Sequence, residues 1–341
     1  SARDWVRPAS DGPAMAGQPE QTLWHAAAGW IKPRQLVLAW LAQPGIRFQG
    51  NSSVQSVAIA DGQWHLLGPG GEGLAQAPQL VIACAGASAA LLRRALAAAG
   101  HDLPAAALAL SPVHGQVSWA LHDDADAACF PPFPVNGSGS VAAHIPWAGG
   151  TAWFAGATYE APGGPALSAA QAHAQNLARL AQLLPEAARA VAPALGRGTL
   201  TVWRGTRWTV ADRMPVAGAW PLPAPPRDGL PGLWLSTAMG SRGLTHAALC
   251  GEWIAAQLGG EPSPLDTALQ RCIDARRLAA RAPAVHFAAF TVRAFVSSPV
   301  ARTFSPAENR SRCTSPASTT ASRSTVVPAS NRSRSRRSTT V

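Results

Sequence analysis

Apolar positions in the first hundred residues fall into short runs of different period. Residues 34–43, RQLVLAWLAQ, with Leu36, Leu38, Trp40 and Leu41, read as a short, densely apolar helix, and Pro44-Gly45 stops the run. Residues 46–50, IRFQG, read as a strand. Two β-rich runs then flank Asp61-Gly62, a dipeptide suited to a two-residue hairpin turn. Residues 80–86, LVIACAG, show no polar alternation, the pattern of a parallel strand buried on both faces. ASAALLRRALAAAG at 87–100 reads as a helix. Strand, meander, buried strand, glycine turn and helix in that order predict an α/β nucleotide-binding unit over residues 1–110.

The texture changes beyond residue 110. HGQVSWAL at 114–121, GSVAAHIPW at 139–147 and TAWFAGATYE at 151–160 alternate as strands between Pro/Gly-rich turns. Residues 168–185 form a helical pattern with Leu177, Leu180 and Leu184 on one face, and TLTVWRGTRW at 199–208 returns to strand. An antiparallel unit over 111–205 is expected, followed by a return to the first unit over 206–281. That return contains a buried strand, GLWLST at 232–237, a tight turn, MGSRG at 239–243, and a helix closed by Gly259-Gly260. The fold class expected is thus α/β plus α+β. Residues 282–341 are dominated by Ser, Thr, Arg and Pro and are expected to be disordered.

Composition sharpens this picture in three ways. With 47% apolar and 13% charged residues, the 341-residue chain can bury a sizeable core. No apolar run approaches the roughly 20 residues of a membrane span, and the opening SARDWVRPAS lacks the features of a signal peptide. The five cysteines are widely spaced without a CxxC pair, so no structural zinc site is expected and a reducing, cytoplasmic compartment is indicated. The net charge of +10 is mostly a property of residues 301–341, where eight arginines face Glu308 alone. The first 300 residues are therefore only mildly basic.

Few segments carry chemistry. GPGGEG at 68–73 matches G-x-G-x-x-G in form, but a strand follows it where a dinucleotide site needs a helix, so it reads as a turn. LVIACAG ends in Gly86, where an absent side chain leaves the strand's carboxyl edge open to a ligand; a generic strand–helix turn explains it equally. In GLWLSTAMGSRGLTHAALC, Gly240 and Gly243 permit close backbone approach and the following helix points free N–H groups at the turn. That suits an anion or an electron-rich carbonyl, or it is an ordinary Gly-rich loop. Arg204 and Arg207 face opposite sides of one strand, so at most one serves an inward site. Asp212 reads as a turn residue, and no histidine pair has metal-ligand spacing.

These segments occur in a recognisable order. GWIKP at 29–33, VIACAG at 81–86, HGQVS at 114–118, GATYE at 156–160, GTRWTVADRMPVAG at 205–218 and LWLSTAMGSRGLTHAALCGEWIAAQLGGEPSPLD at 233–266 resemble the glycine oxidase and D-amino-acid oxidase (DAO) superfamily. Within it they are most similar to the FAD-dependent oxidoreductase halves of bifunctional tRNA 5-methylaminomethyl-2-thiouridine biosynthesis proteins. The resemblance implies FAD as cofactor and a truncated Rossmann-like domain beside an antiparallel substrate domain. The strand, GxGxxG turn and acidic residue that open such a domain are absent, as is a methyltransferase domain using S-adenosylmethionine; both are expected upstream of residue 1. Where the family's pattern before the turn Asp often carries Arg, this chain has Ala211.

The resemblance implies oxidative removal of the carboxymethyl group from 5-carboxymethylaminomethyl-(2-thio)uridine in tRNA, giving the 5-aminomethyl form. Arg207 is implied as the catalytic anchor of the substrate carboxylate. Cys84, Ala85 and Gly86 are implied along the flavin, and Gly240, Ser241, Arg242, Gly243 and Leu244 at its pyrimidine edge. Val54 matches the position whose backbone approaches the adenine. A small-molecule amine oxidase of the same superfamily and an inactive remnant remain open alternatives. The missing opening segments imply weak FAD binding by the chain as it stands.

Overall fold

The computed structural model describes residues 5–12, 22–102, 107–160, 163–222 and 232–279, together with the backbone of 320–322. Strands β1 (Val6–Pro8), β2 (Leu23–His25), β3 (Ser56–Ala60), β4 (Gln63–Leu67), β5 (Gly73–Ala77) and β6 (Gln79–Ile82) come first. They are followed by β7 (Ser111–Leu121), β8 (Val135–Asn136), β9 (Ser140–Trp147), β10 (Gly150–Gly156), β11 (Thr201–Thr209), β12 (Val216–Ala219), β13 (Gly232–Thr237) and β14 (Thr320–Ser322). The helices are α1 (Pro33–Leu41), α2 (Ser88–Ala98), α3 (Asp124–Ala127), α4 (Ala169–Leu183), α5 (Pro185–Gly196), α6 (Gly243–Gly259), α7 (Thr267–Ile273) and α8 (Arg276–Ala279). No helix among the described residues is long and apolar enough to cross a membrane.

A small sheet in the order β12-β13-β6 carries the α/β part of the chain. β13 runs parallel to β6, pairing Leu233 with Leu80 and Leu235 with Ile82. Helix α2 closes one face, where Ile82, Leu92, Ala95 and Leu235 are all fully buried. On the other side α6 packs Cys250, Trp253 and Ile254 against Ala217 of β12. Burial in this apolar layer pushes the Cys250 thiol up to about 11. Gly260, in the left-handed region at φ +67°, ends α6.

The meander β3-β4-β5 forms its own antiparallel sheet. Asp61 at φ 50° and Gly62 at φ 70° give the mirror-image turn that its first hairpin requires. GPGGEG is the second turn: Gly68 N–H donates to the Glu72 carbonyl at 2.9 Å and Gly70 N–H to Glu72 Oε2 at 2.8 Å.

Two expectations differ from the structure. In the run 80–86 only Leu80 and Ile82 are buried, and Val81 is 42% exposed. Helix α2 covers one face of β6, and among the described residues nothing covers the other. Residues 46–50 form no strand, because among the described residues no neighbouring strand supplies the hydrogen bonds that a strand needs. Phe48 there is 65% exposed.

The larger sheet has the order β1-β2-β14-β8-β9-β10-β7-β11. Residues 282–319 and 323–341, expected to be disordered, lie outside the described residues. Thr320–Ser322 pairs with β2 and β8. One face of the sheet is covered by α4 and α5, which bury Trp153, Leu180 and Val191. A capping box of Ser168 and Gln171 starts α4. Beneath it lies a polar layer. Ser118 Oγ meets His173 Nδ1 at 2.8 Å, and Asn176 Nδ2 donates to the Gln116 carbonyl at 3.0 Å and to Ser118 Oγ at 3.1 Å. The opposite face of β7 and β11 is not covered by these helices and forms the candidate site.

Burial holds the His173 imidazole below its ordinary range. Across the window between its folded and unfolded values, the unfolded chain binds more protons. The stabilisation is complete above the ordinary histidine value of about 6.5 and is lost as pH falls from there through the lower folded value. The melting midpoint is expected to drop as pH falls below about 6.5, with His173→Gln flattening part of the drop. A midpoint that does not change over this range contradicts the buried neutral imidazole.

Candidate active site

At the centre of the β7–β11 ladder two glycines stand opposite one another, Gly115 and Gly205. Their missing side chains leave a bare strip on the open face. The Arg207 side chain fills that space: a Cβ on Gly115 would stand 2.2 Å from Arg207 Nη1 and 2.4 Å from the Thr158 carbonyl oxygen. The guanidinium is held from outside by Tyr159, whose ring centre lies 4.5 Å from Arg207 Cζ.

Arg207 lines a cavity of about 540 Å³. Val113 and Thr209 contribute from the sheet, Tyr159 and Glu160 from the segment after β10, and Met239, Gly240, Ser241, Arg242 and His246 from the far side. Arg213 lines it as well. Two polar atoms in this wall, Arg207 Nη1 and His246 Nδ1, are buried without a hydrogen-bond partner. A buried donor without an acceptor costs about 1–3 kcal/mol, more when charged, so an acceptor supplied at this wall would be stabilising. Burial first, and the Arg242 charge second, hold His246 below its ordinary range, so the imidazole is neutral at pH 7.

The far wall is a strained turn. Ala238 and Gly240 both have left-handed φ, 59° and 58°, and the latter favours glycine. Gly240–Arg242 make one turn of 3-10 helix, and α6 follows with no side chain capping its first N–H groups. These groups and the positive end of the helix dipole face the turn. The turn is tied to the parallel strand beside it, since Thr237 Oγ1 donates to the Ala85 carbonyl at 3.2 Å. The two turns thus lie together at the carboxyl ends of β6 and β13, the edge where open α/β sheets bind ligands.

Of the residues singled out from sequence, the structure brings Arg207, Gly240, Ser241 and Arg242 to one cavity. Gly243 and Leu244 begin α6 directly behind it. Gly86 lies apart: the Trp208 ring covers it, so close that a Cβ would stand 2.2 Å from ring carbon Cε2. Cys84 and Ala85 are exposed beside it. Val54 packs against the core of the small-sheet unit and does not line the cavity. Arg204 points to the opposite face, into a cavity of about 370 Å³ with His114, Gln116 and Glu160. There Gln116 Nε2 donates to Glu160 Oε1 at 3.0 Å, and that bond is the main reason the Glu160 carboxyl is held below its usual range. Asp212 keeps its turn role, accepting from Met214 N–H at 3.0 Å, and pairs with Arg277 at 3.1 Å.

Sequence reasoning missed Tyr159, His246, Gly115 and Thr209. A glycine in the middle of a strand pattern was the available signal for Gly115, since it marks close approach by another group. Nothing local distinguishes His246 from the other histidines.

The FAD dependent oxidoreductase (DAO) family matches residues 3–257. The tRNA 5-methylaminomethyl-2-thiouridine biosynthesis bifunctional protein MnmC of Albidiferax ferrireducens is 41% identical over 282 residues, covering 78% of this chain and 43% of that protein. The protein of the same name from Delftia acidovorans is 42% identical over 293 residues, covering 81% and 43%. The chain therefore spans less than half the length of these curated relatives. Among solved structures, glycine oxidase from Geobacillus kaustophilus aligns over 66% of this chain and 52% of its own, at 21% identity and a TM-score of 0.45.

Gly115→Ala is expected to lower stability by about 1–3 kcal/mol, because the Thr158 carbonyl it meets is backbone and cannot swing aside. Urea unfolding measures this, and an unchanged midpoint contradicts the close approach of Arg207 and Thr158 to the strand.

Proposed function

The chain belongs to the DAO family of FAD-dependent oxidoreductases, and from that membership we propose that its cavity oxidises a secondary amine bearing a carboxymethyl arm on a wobble uridine of tRNA. The observation that carries the reading is Arg207, whose Nη1 is buried without a hydrogen-bond partner, in the wall of a cavity that the Gly240–Arg242 turn also lines. The substrate's reacting end is a glycine unit: a carboxylate, one carbon and a nitrogen. Arg207 presents a planar fork to the carboxylate, and Tyr159 keeps that fork flat against Gly115.

The described residues fit one end of the cofactor. The glycine turn and the uncapped start of α6 suit the electron-rich pyrimidine edge of a flavin, with Gly240, Ser241, Arg242, Gly243 and Leu244 holding it. Cys84, Ala85 and Gly86 would follow along the ring, which requires Trp208 to leave Gly86. Val54 would approach the adenine. Held there, the flavin would supply the hydride acceptor for oxidation at the carbon between carboxylate and nitrogen. Arg207 fixes that carbon by its neighbour, so the protein's part is orientation and not nucleophilic attack. His246, neutral at pH 7, offers a hydrogen bond to the amine without repelling a cation.

Hydrolysis after oxidation releases glyoxylate and leaves an aminomethyl group. In this reading the next step is methylation by an S-adenosylmethionine-dependent domain, as the word bifunctional in the relatives' names suggests, and the work is cytoplasmic. Supplied with FAD, the chain is expected to release glyoxylate from tRNA carrying the carboxymethylaminomethyl group far faster than from sarcosine. Arg207→Gln is expected to lower kcat/KM about a hundredfold. Equal turnover of sarcosine and tRNA would favour a small-molecule oxidase, and an unaffected Arg207→Gln variant would remove the anchor.

A further inference from the structure

A cavity of about 540 Å³ holds the reacting arm of a modified nucleotide but not the flanking nucleotides, which must lie on the surface around it. The open face of the large sheet supplies an unusual surface. From Arg207 along β11, the ring of Trp203 folds over Gly205, so that a Cβ there would stand 2.5 Å from it. Thr201, two residues further, pairs with Trp119 of β7, which pairs in turn with Phe154 of β10. Residues directly opposite one another share a face of the sheet. The Trp119 and Phe154 rings are stacked with centroids 5.7 Å apart, and Trp147 leans on both at 5.3 and 5.4 Å.

The result is an aromatic stripe from Tyr159 at the cavity, through Trp203 and Trp119, to Trp147. Tyr159 is 59%, Trp203 60% and Trp147 44% exposed, so ring surface is left open where burial would be the usual fate of such side chains. At the cavity end the Arg207 guanidinium, covered by Tyr159, is given to the substrate carboxylate; at the far end Lys32 donates to the Pro146 carbonyl, next to Trp147. A row of open aromatic rings with a lysine at its end matches unpaired nucleobases on a phosphate backbone. Each base has a face to stack, and double-stranded nucleic acid hides those faces. An aliphatic protein partner has no need of rings at every position.

We propose that this stripe is a stacking platform for the unpaired bases that flank the modified nucleotide, and that its partner is a single-stranded RNA loop. The proposal rests on the tRNA reading above and names the surface that would serve it.

The test uses the full chain and a fluorescently labelled RNA hairpin with an unpaired loop, read by anisotropy, with a blunt duplex of similar charge as control. Trp203→Leu and Trp147→Leu are each expected to weaken hairpin binding about tenfold, within the range of one lost base–aromatic stack. Trp203→Phe and Trp147→Phe are expected to keep most of it, and duplex binding to stay weak and unchanged throughout. Both positions are exposed, and equal melting midpoints confirm that the variants fold. Hairpin binding that is tight in the native chain and unchanged in the Leu variants overturns the platform while leaving the tRNA reading standing. Failure of the native chain to bind the hairpin overturns both. A native chain that self-associates through this face, with Trp203→Ala releasing monomers, would identify a protein interface and also overturn the proposal.

Discussion

The site depends on one absence, the pair of side chains missing at Gly115 and Gly205 in the middle of the β7–β11 ladder. A strand interior is a poor place for glycine, because the residue offers nothing to pack and loses more conformational freedom on ordering. Here the bare backbone lets a guanidinium and an indole lie flat on the sheet, Arg207 over Gly115 and Trp203 over Gly205. A methyl group at either position would push these side chains into the space a ligand needs. The cavity wall, the cation–π contact with Tyr159 and the aromatic stripe all follow from that flatness.

The second requirement is that the sheet face meet a fixed opposing wall. That wall comes from the small α/β unit, through the glycine turn between β13 and α6. Its position is set from behind: β13 pairs with β6 in parallel, Thr237 ties the turn to Ala85, and α6 is anchored by Trp253 and Ile254 in an apolar layer. Electrostatics then divides the labour. Arg207 supplies charge, the start of α6 supplies oriented N–H groups, and burial keeps His246 uncharged between them. Opposite these, the Glu160 carboxyl is ionised but occupied by Gln116, so it does not compete for the Arg207 fork.

Much of this was legible in the sequence where local rules decide. The Asp61-Gly62 hairpin, the helix behind Ser168 and the glycine stop of α6 follow from turn chemistry and caps. Opposite orientations for Arg204 and Arg207 follow from strand alternation, and the two line different cavities. What the sequence hid was what covers each element. Residues 80–86 look buried on both faces because apolar character does not say which neighbour is present. Residues 46–50 have strand character and no strand to pair with. In the site, Tyr159 meets Arg207, and His246 shares its cavity, only through tertiary structure, across separations no local pattern spans. Trp208 over Gly86 is of the same kind, since its strand belongs to the other sheet.

The central claim is that the Arg207 fork is a carboxylate receptor facing the glycine turn. A crystal structure of the chain with an N-substituted glycine bound tests it most directly, since it needs neither turnover nor RNA. The account predicts the carboxylate on the Arg207 guanidinium, with both oxygens at hydrogen-bonding distance, about 2.7–2.9 Å. The nitrogen should point towards His246 and the Gly240–Arg242 turn. A carboxylate bound instead at Arg204 on the opposite face, or a ligand reversed so that its nitrogen meets Arg207, would contradict it.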